Sequence, residues 1–151
     1  MSNEIFISAA GSGKTTFLIN KALDLYDQNV LITTYTIENS IEIKKKLLEI
    51  EKERNKVGSN LKIQTWVSFL LNHGVRPYRN KLFKELNGKN VGYCLYNGRS
   101  AKFVKKNKLQ YFFNNDWQIY PDKISEFVCA CNNECDGLII DRLSNIFKYI
   151  F

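Results

Sequence analysis

Eight residues near the N-terminus, Ser8-Ala9-Ala10-Gly11-Ser12-Gly13-Lys14-Thr15, restrict this chain more than any other segment does. They match the Walker A pattern, with Ser8 at the position where glycine is usual. The apolar, β-branched run Glu4 to Ser8 precedes the loop and reads as a buried strand. A helix pattern, with Phe17, Leu18, Ala22, Leu25 and Tyr26 at helical spacing, follows from about Lys14 to Asp27. Strand, glycine-rich loop and helix in that order make a phosphate cradle. Gly11 and Gly13 let successive N–H groups turn toward a β-phosphate, and the helix N-terminus adds positive potential. Lys14 would bridge the β- and γ-phosphates, the Thr15 hydroxyl would ligate Mg²⁺, and Thr16 would reach the α-phosphate. The expected ligands are therefore ATP and Mg²⁺, held by Ser8 to Thr16 with Lys14 and Thr15 as the catalytic pair.

The alternation continues beyond the loop. Val30 to Thr34 reads as a second buried strand, and Glu38 to Lys56 as a charged helix with Ile41, Leu47, Leu48 and Ile50 on its apolar side. Leu61 to Ile63 reads as a third strand, and Trp66, Phe69 and Leu70 open a helix ending near His73 and Gly74. Such an order builds an α/β fold with a parallel sheet covered on both faces. After Gly74 the pattern changes to short elements rich in Tyr and Phe. Helical spacing returns at Pro121, breaks at Asp136-Gly137, and resumes from Leu138 to Phe147. The expected division is a first core part at 1–74, a basic, aromatic insertion at 75–135, and a return to the core at 136–151.

Charge supports a polyanionic partner. From Arg76 to Lys108 there are ten basic residues and one acid, Glu85, so this stretch carries +9 in a chain whose whole surplus is +7. A field of that sign concentrates phosphates at the surface, although a solvated face has the same composition. No apolar run reaches the ~20 residues that span a bilayer. The N-terminus lacks a signal-peptide pattern, and a cytoplasmic location is expected. Cys129, Cys131 and Cys135 lack the paired spacing of zinc sites and read as reduced thiols, as does Cys94. His73, the single histidine, reads as a helix-end residue.

With the loop in place, three segments resemble superfamily 1 helicases of the UvrD/Rep type. Ala10-Gly11-Ser12-Gly13-Lys14-Thr15 is the form of Walker A typical of that family. Val30 to Thr36 looks like its motif Ia, and Ile63 to Phe69 like its motif Ib. The resemblance implies a P-loop NTPase, RecA-like core with an inserted DNA-contacting subdomain, acting as an ATP-dependent DNA helicase. It implies single-stranded DNA contacts from Tyr35, Thr36, Thr65, Trp66 and Ser68, joined by Lys102, Lys105 and Lys106 of the insertion. Aromatic rings suit stacking on unpaired bases, and hydroxyls suit phosphate oxygens.

The sequence departs from the family at Ile37-Glu38, where Asn-Lys is usual, and at Val67, where histidine is usual. Lys148 to Phe151 looks like the start of the strand that carries the Walker B Asp-Glu-x-x-Asp. The expectation is therefore an N-terminal portion, truncated or cut, whose partner is the remainder of the helicase. Translocation polarity, base selectivity and oligomeric state stay open. Two other readings compete: a small P-loop kinase using Arg76, Arg79 and Arg99 on phosphates, and a non-enzymatic nucleic-acid-binding module.

Overall fold

The computed structural model describes residues 4–7, 9, 11–25, 27–55, 57–95 and 98–151. Ser8, Ala10, Tyr26 and Lys56, each part of an expectation above, lie outside the described residues.

The β-branched run Val30 to Thr34 forms the centre of the sheet. Strand β1 (Val30–Thr34) lies parallel to β2 (Leu61–Thr65), with Val30 opposite Leu61 and Thr34 opposite Thr65. On its other side β1 pairs in parallel with β5 (Tyr149–Ile150), giving a three-stranded order β2-β1-β5. Alternation along β1 splits the core in two. Val30 and Ile32 pack on one face with Ile19, Ala22, Leu23 and Ile50. These come from α1 (Lys14–Asp24) and α2 (Ile37–Arg54), which Arg54 ties together by an ion pair to Asp24 at 2.8 Å. Leu31 points to the other face, into a larger cluster with Phe69, Val75, Phe113, Phe127, Ile139 and Phe147.

That larger cluster draws on most of the chain after β2. Helix α3 (Trp66–Leu70) widens into a π-helical turn at Leu71–Val75, where Gly74 meets α5 (Ile124–Glu134). A methyl group at position 74 would stand 2.5 Å from Val128 Cγ2, so this close approach needs glycine. A two-stranded parallel ribbon, β3 (Gly92–Tyr93) with β4 (Gln118–Ile119), and the short helix α4 (Leu109–Phe112) fill the stretch between. Two arginines of the basic run brace these loops: Arg76 Nε donates to the Val91 carbonyl at 2.9 Å and Arg79 Nε to the Leu86 carbonyl at 3.1 Å. Asp136 and Gly137, at φ +50° and +88°, end α5 and start α6 (Leu138–Ile146). Buried Cys131 donates its thiol to the Tyr78 carbonyl at 3.6 Å, and burial pushes its pKa up to about 12.

One expected element is missing from the sheet. Residues 4–7 form no strand, and Ile5 and Ile7 are 87% and 93% exposed. A strand is stabilised by the ladder it joins, and no described strand pairs with this segment. Its contacts run to α1 instead: Phe6 lies 5.0 Å from Phe17 between ring centroids, and Glu4 pairs with Lys21. The buried face of α1 is correspondingly Ile19, Ala22 and Leu23, with Phe17 on the exposed side. On α2, Ile50 is buried, whereas Ile41 and Leu48 are exposed.

His73 sits inside the π-helical turn, its ring 5.5 Å from Phe69 and 5.4 Å from Phe147. The residue is half-buried, yet both ring nitrogens are shielded from water with no hydrogen-bond partner. Burial, aided by Lys62 and Arg142, holds its pKa below the ordinary histidine value. The unfolded chain therefore takes up this proton first as pH falls. Stability is expected to be full above about pH 6.5 and to decline below it until the folded-state pKa is reached. Thermal midpoints measured from pH 7.5 to 5.0 should show that decline, and His73→Phe should flatten it, because no other histidine titrates in that window.

Candidate nucleotide and nucleic-acid sites

The glycine-rich loop leads directly into α1. Gly11 and Gly13 adopt φ +75° and +83°, where side-chain-bearing residues are disfavoured. A Cβ on either would meet nothing within 4 Å, so conformation and not crowding selects glycine. Helix α1 starts with no capping side chain and no acid in its first turn, which suits an anion at its N-terminus. Lys14 Nζ donates to the Ala9 carbonyl at 2.5 Å, folded back across the loop. Gly11 to Thr16 line a cavity of about 550 Å³, whose opposite wall is Glu42, Lys45, Lys46 and Glu49 of α2. The glycine conformations, the uncapped helix and the size of the cavity fit a nucleoside triphosphate. Ser8 and Ala10 fall outside the described residues, and Ala9 is present through its carbonyl.

A second cavity, about 560 Å³, opens where β1 and β2 end. Tyr35 and Thr36 follow β1, Trp66 follows β2, and Thr65 is the last residue of β2, so the parallel order brings all four to one sheet edge. Tyr35 is 89% exposed and Trp66 43%. Trp66 leans on Phe69 at 5.3 Å between centroids, so it is half in the core and half in the groove. Both threonines cap helices: Thr36 Oγ1 accepts from the Asn39 N–H at 3.1 Å, and Thr65 Oγ1 from the Ser68 N–H at 3.2 Å. Ser68 belongs to the α3 cap, its hydroxyl 2.9 Å from that of Thr65, and does not line the cavity.

The far wall holds residues that sequence reasoning missed. Tyr93 and Leu95 come from β3 and the chain after it, Asp122 from the turn before α5, and Ile124 and Ser125 from the start of α5. None carries a motif; the pairing of β3 with β4 and the packing of α5 beside α3 bring them here. Ile37 and Glu38, the departures from the usual family residues, line the groove as well. Burial raises the Asp122 carboxyl, but hydrogen bonds from the Ser100 hydroxyl and N–H, with Lys123 nearby, outweigh it and hold the pKa below the usual range. Lys102, Lys105 and Lys106 do not line the groove; they sit on the exposed loop that follows Ser100. Lys106 pairs with Glu126 at 2.7 Å, and that hydrogen bond, with one from Tyr111, lowers the Glu126 pKa.

Among the described residues no group of three or more His, Cys, Asp or Glu side chains is placed to hold a metal ion, and no helix is long and apolar enough to cross a membrane. No curated protein and no solved structure matched the chain. The family comparison agrees with the motifs: residues 2–133 match the model described as the UvrD/REP helicase N-terminal domain, and the chain belongs to that family, as part of an ATP-dependent helicase.

Proposed function

We propose that this chain is the ATP-binding portion of a UvrD-like DNA helicase that also grips single-stranded DNA. The observation that carries the reading is helix α2, which lines both cavities. Ile37 and Glu38 at its start face the groove, and Glu42, Lys45, Lys46 and Glu49 face the phosphate loop. An element shared by two sites can couple them if its position differs between ligand states. On this reading Gly11 to Gly13 wrap the phosphates, Lys14 neutralises them, and Thr15 and Thr16 supply hydroxyls to Mg²⁺ and to the α-phosphate. Bound MgATP supplies the phosphoryl group whose transfer to water drives a motor. Tyr35 and Trp66 stack on bases, while Thr36, Thr65 and Ser68 set the N-termini of α2 and α3 against phosphates. The basic insertion, taken as 75–135 between core parts 1–74 and 136–151, adds Lys102, Lys105 and Lys106.

The kinase alternative gains little support. Of its candidate phosphate grips Arg76, Arg79 and Arg99, the first two are engaged with the Val91 and Leu86 carbonyls. Tyr35 at 89% exposure would also have no task in a kinase.

The acids on the loop cavity are Glu42 and Glu49, and Glu49 is already paired with Lys46 at 3.0 Å. Phosphoryl transfer needs metal-binding and base carboxylates placed on the nucleotide. The 151-residue polypeptide by itself is therefore expected to bind MgATP with negligible turnover, with or without oligonucleotide. Steady-state phosphate release checks this, and DNA-stimulated turnover lost in Lys14→Ala would contradict it.

A further inference from the structure

The loop between Arg99 and Lys108 presents an aromatic ring that neither core uses. Phe103 is 99% exposed, yet the chain on either side of it is held firmly. The Val104 N–H donates to the Ala101 carbonyl at 3.1 Å, closing a turn with Lys102 and Phe103 at its two tip positions. A second turn follows, closed by the Lys108 N–H on the Lys105 carbonyl at 3.0 Å. The feet of the first turn, Ala101 and Val104, pack on the larger core. Ser100, buried, is bound to Asp122 through its hydroxyl at 2.6 Å and its N–H at 3.2 Å. Lys106 is bound to Glu126, which also accepts from the Tyr111 hydroxyl at 2.9 Å. Ala101 adopts φ +48°, a left-handed conformation that alanine disfavours. Packing and hydrogen bonds thus hold a strained turn whose tip aims a phenyl ring at solvent, with Lys102 and Lys105 exposed on either side.

The anchor joins this turn to the groove. Asp122, which holds Ser100, is itself a groove-lining residue. Phe103 lies three positions after Ser100, a reach of at most about 10 Å. We propose that Phe103 is a base-stacking residue that takes the single strand as it leaves the groove, with Lys102 and Lys105 on the adjoining phosphates. This rests on the nucleic-acid reading of the groove and extends the same strand's path past the Asp122 wall. A ring with both faces in water and cations beside it is the pairing that sequence-tolerant strand binding uses. A solvated charged loop has no need of a strained turn that excludes its one aromatic side chain from the core.

The test is anisotropy of a fluorescein-labelled oligothymidylate of about twenty nucleotides, titrated with the 151-residue chain across a salt series. Phe103→Ala should weaken binding about fivefold or more with an unchanged salt slope, since stacking releases few ions. Phe103→Tyr should bind within about twofold of the parent, and Phe103→Leu should resemble alanine, because a π face and not apolar bulk is required. All three variants should keep the parent's circular dichroism and thermal midpoint, since the ring touches no core. If Tyr35→Ala weakens binding and Phe103→Ala does not, this proposal falls while the groove reading stands. If the parent does not bind the oligonucleotide, both fall.

Discussion

Lys14→Ala is expected to weaken MgATP binding by about 100-fold or more, with little effect on folding. Lys14 is exposed and its ammonium lies over the loop, donating to the Ala9 carbonyl. Bound nucleotide would take that ammonium away from the carbonyl and give it two phosphate groups. Charge-assisted hydrogen bonds contribute about 1.5–3 kcal/mol each, and two of them account for the factor. The folded state loses contacts of an exposed side chain and none in the core, so the thermal midpoint without ligand should move little. Titration with a fluorescent ATP analogue checks the affinity. Retained binding in the variant would mean that the cavity between the loop and α2 is not the nucleotide site.

The second large effect concerns salt. Reversing Lys102, Lys105 and Lys106 to glutamate should weaken oligonucleotide binding for all sequences alike. It should also flatten the dependence of log affinity on log salt by about 1.5–2 units, as counterion release from a single strand requires. The three lysines should not contribute equally. Lys106 is already 2.7 Å from Glu126, so part of its charge is satisfied within the protein. Lys102→Glu and Lys105→Glu alone should each cost more slope than Lys106→Glu. An unchanged slope in the triple variant would make the basic run a solvated face.

Much of this arrangement could be read from local sequence, for physical reasons. Val30 to Thr34 is a β-branched run and Leu61 to Thr65 an alternating one, and each made a strand because the other supplied its ladder. Gly11 and Gly13 have the left-handed conformations that the motif requires, and Asp136-Gly137 broke the chain where glycine follows aspartate. The segment Glu4 to Ile7 had as good a strand composition but found no partner among the described strands. Composition states what a strand tolerates, whereas pairing decides whether it forms. The π-helical turn at Leu71–Val75 was equally hidden, since it depends on Gly74 meeting Val128 from a helix over fifty residues later. For the groove, the near wall was legible because Tyr35, Thr36, Thr65 and Trp66 lie in or beside strand-end motifs. The far wall of Tyr93, Leu95 and Asp122 was not, because non-local packing alone assembles it.

Helix α2 touches both sites, so the most direct measurement is one titration performed twice. The labelled oligothymidylate is titrated with the 151-residue chain, first without nucleotide and then with saturating MgATP. Binding in both cases, with an affinity that changes on adding MgATP and a change that disappears in Lys14→Ala, is the expected result. Identical oligonucleotide affinity with and without MgATP, and in Lys14→Ala, would contradict it and leave a nucleic-acid-binding module whose phosphate loop has no part in binding.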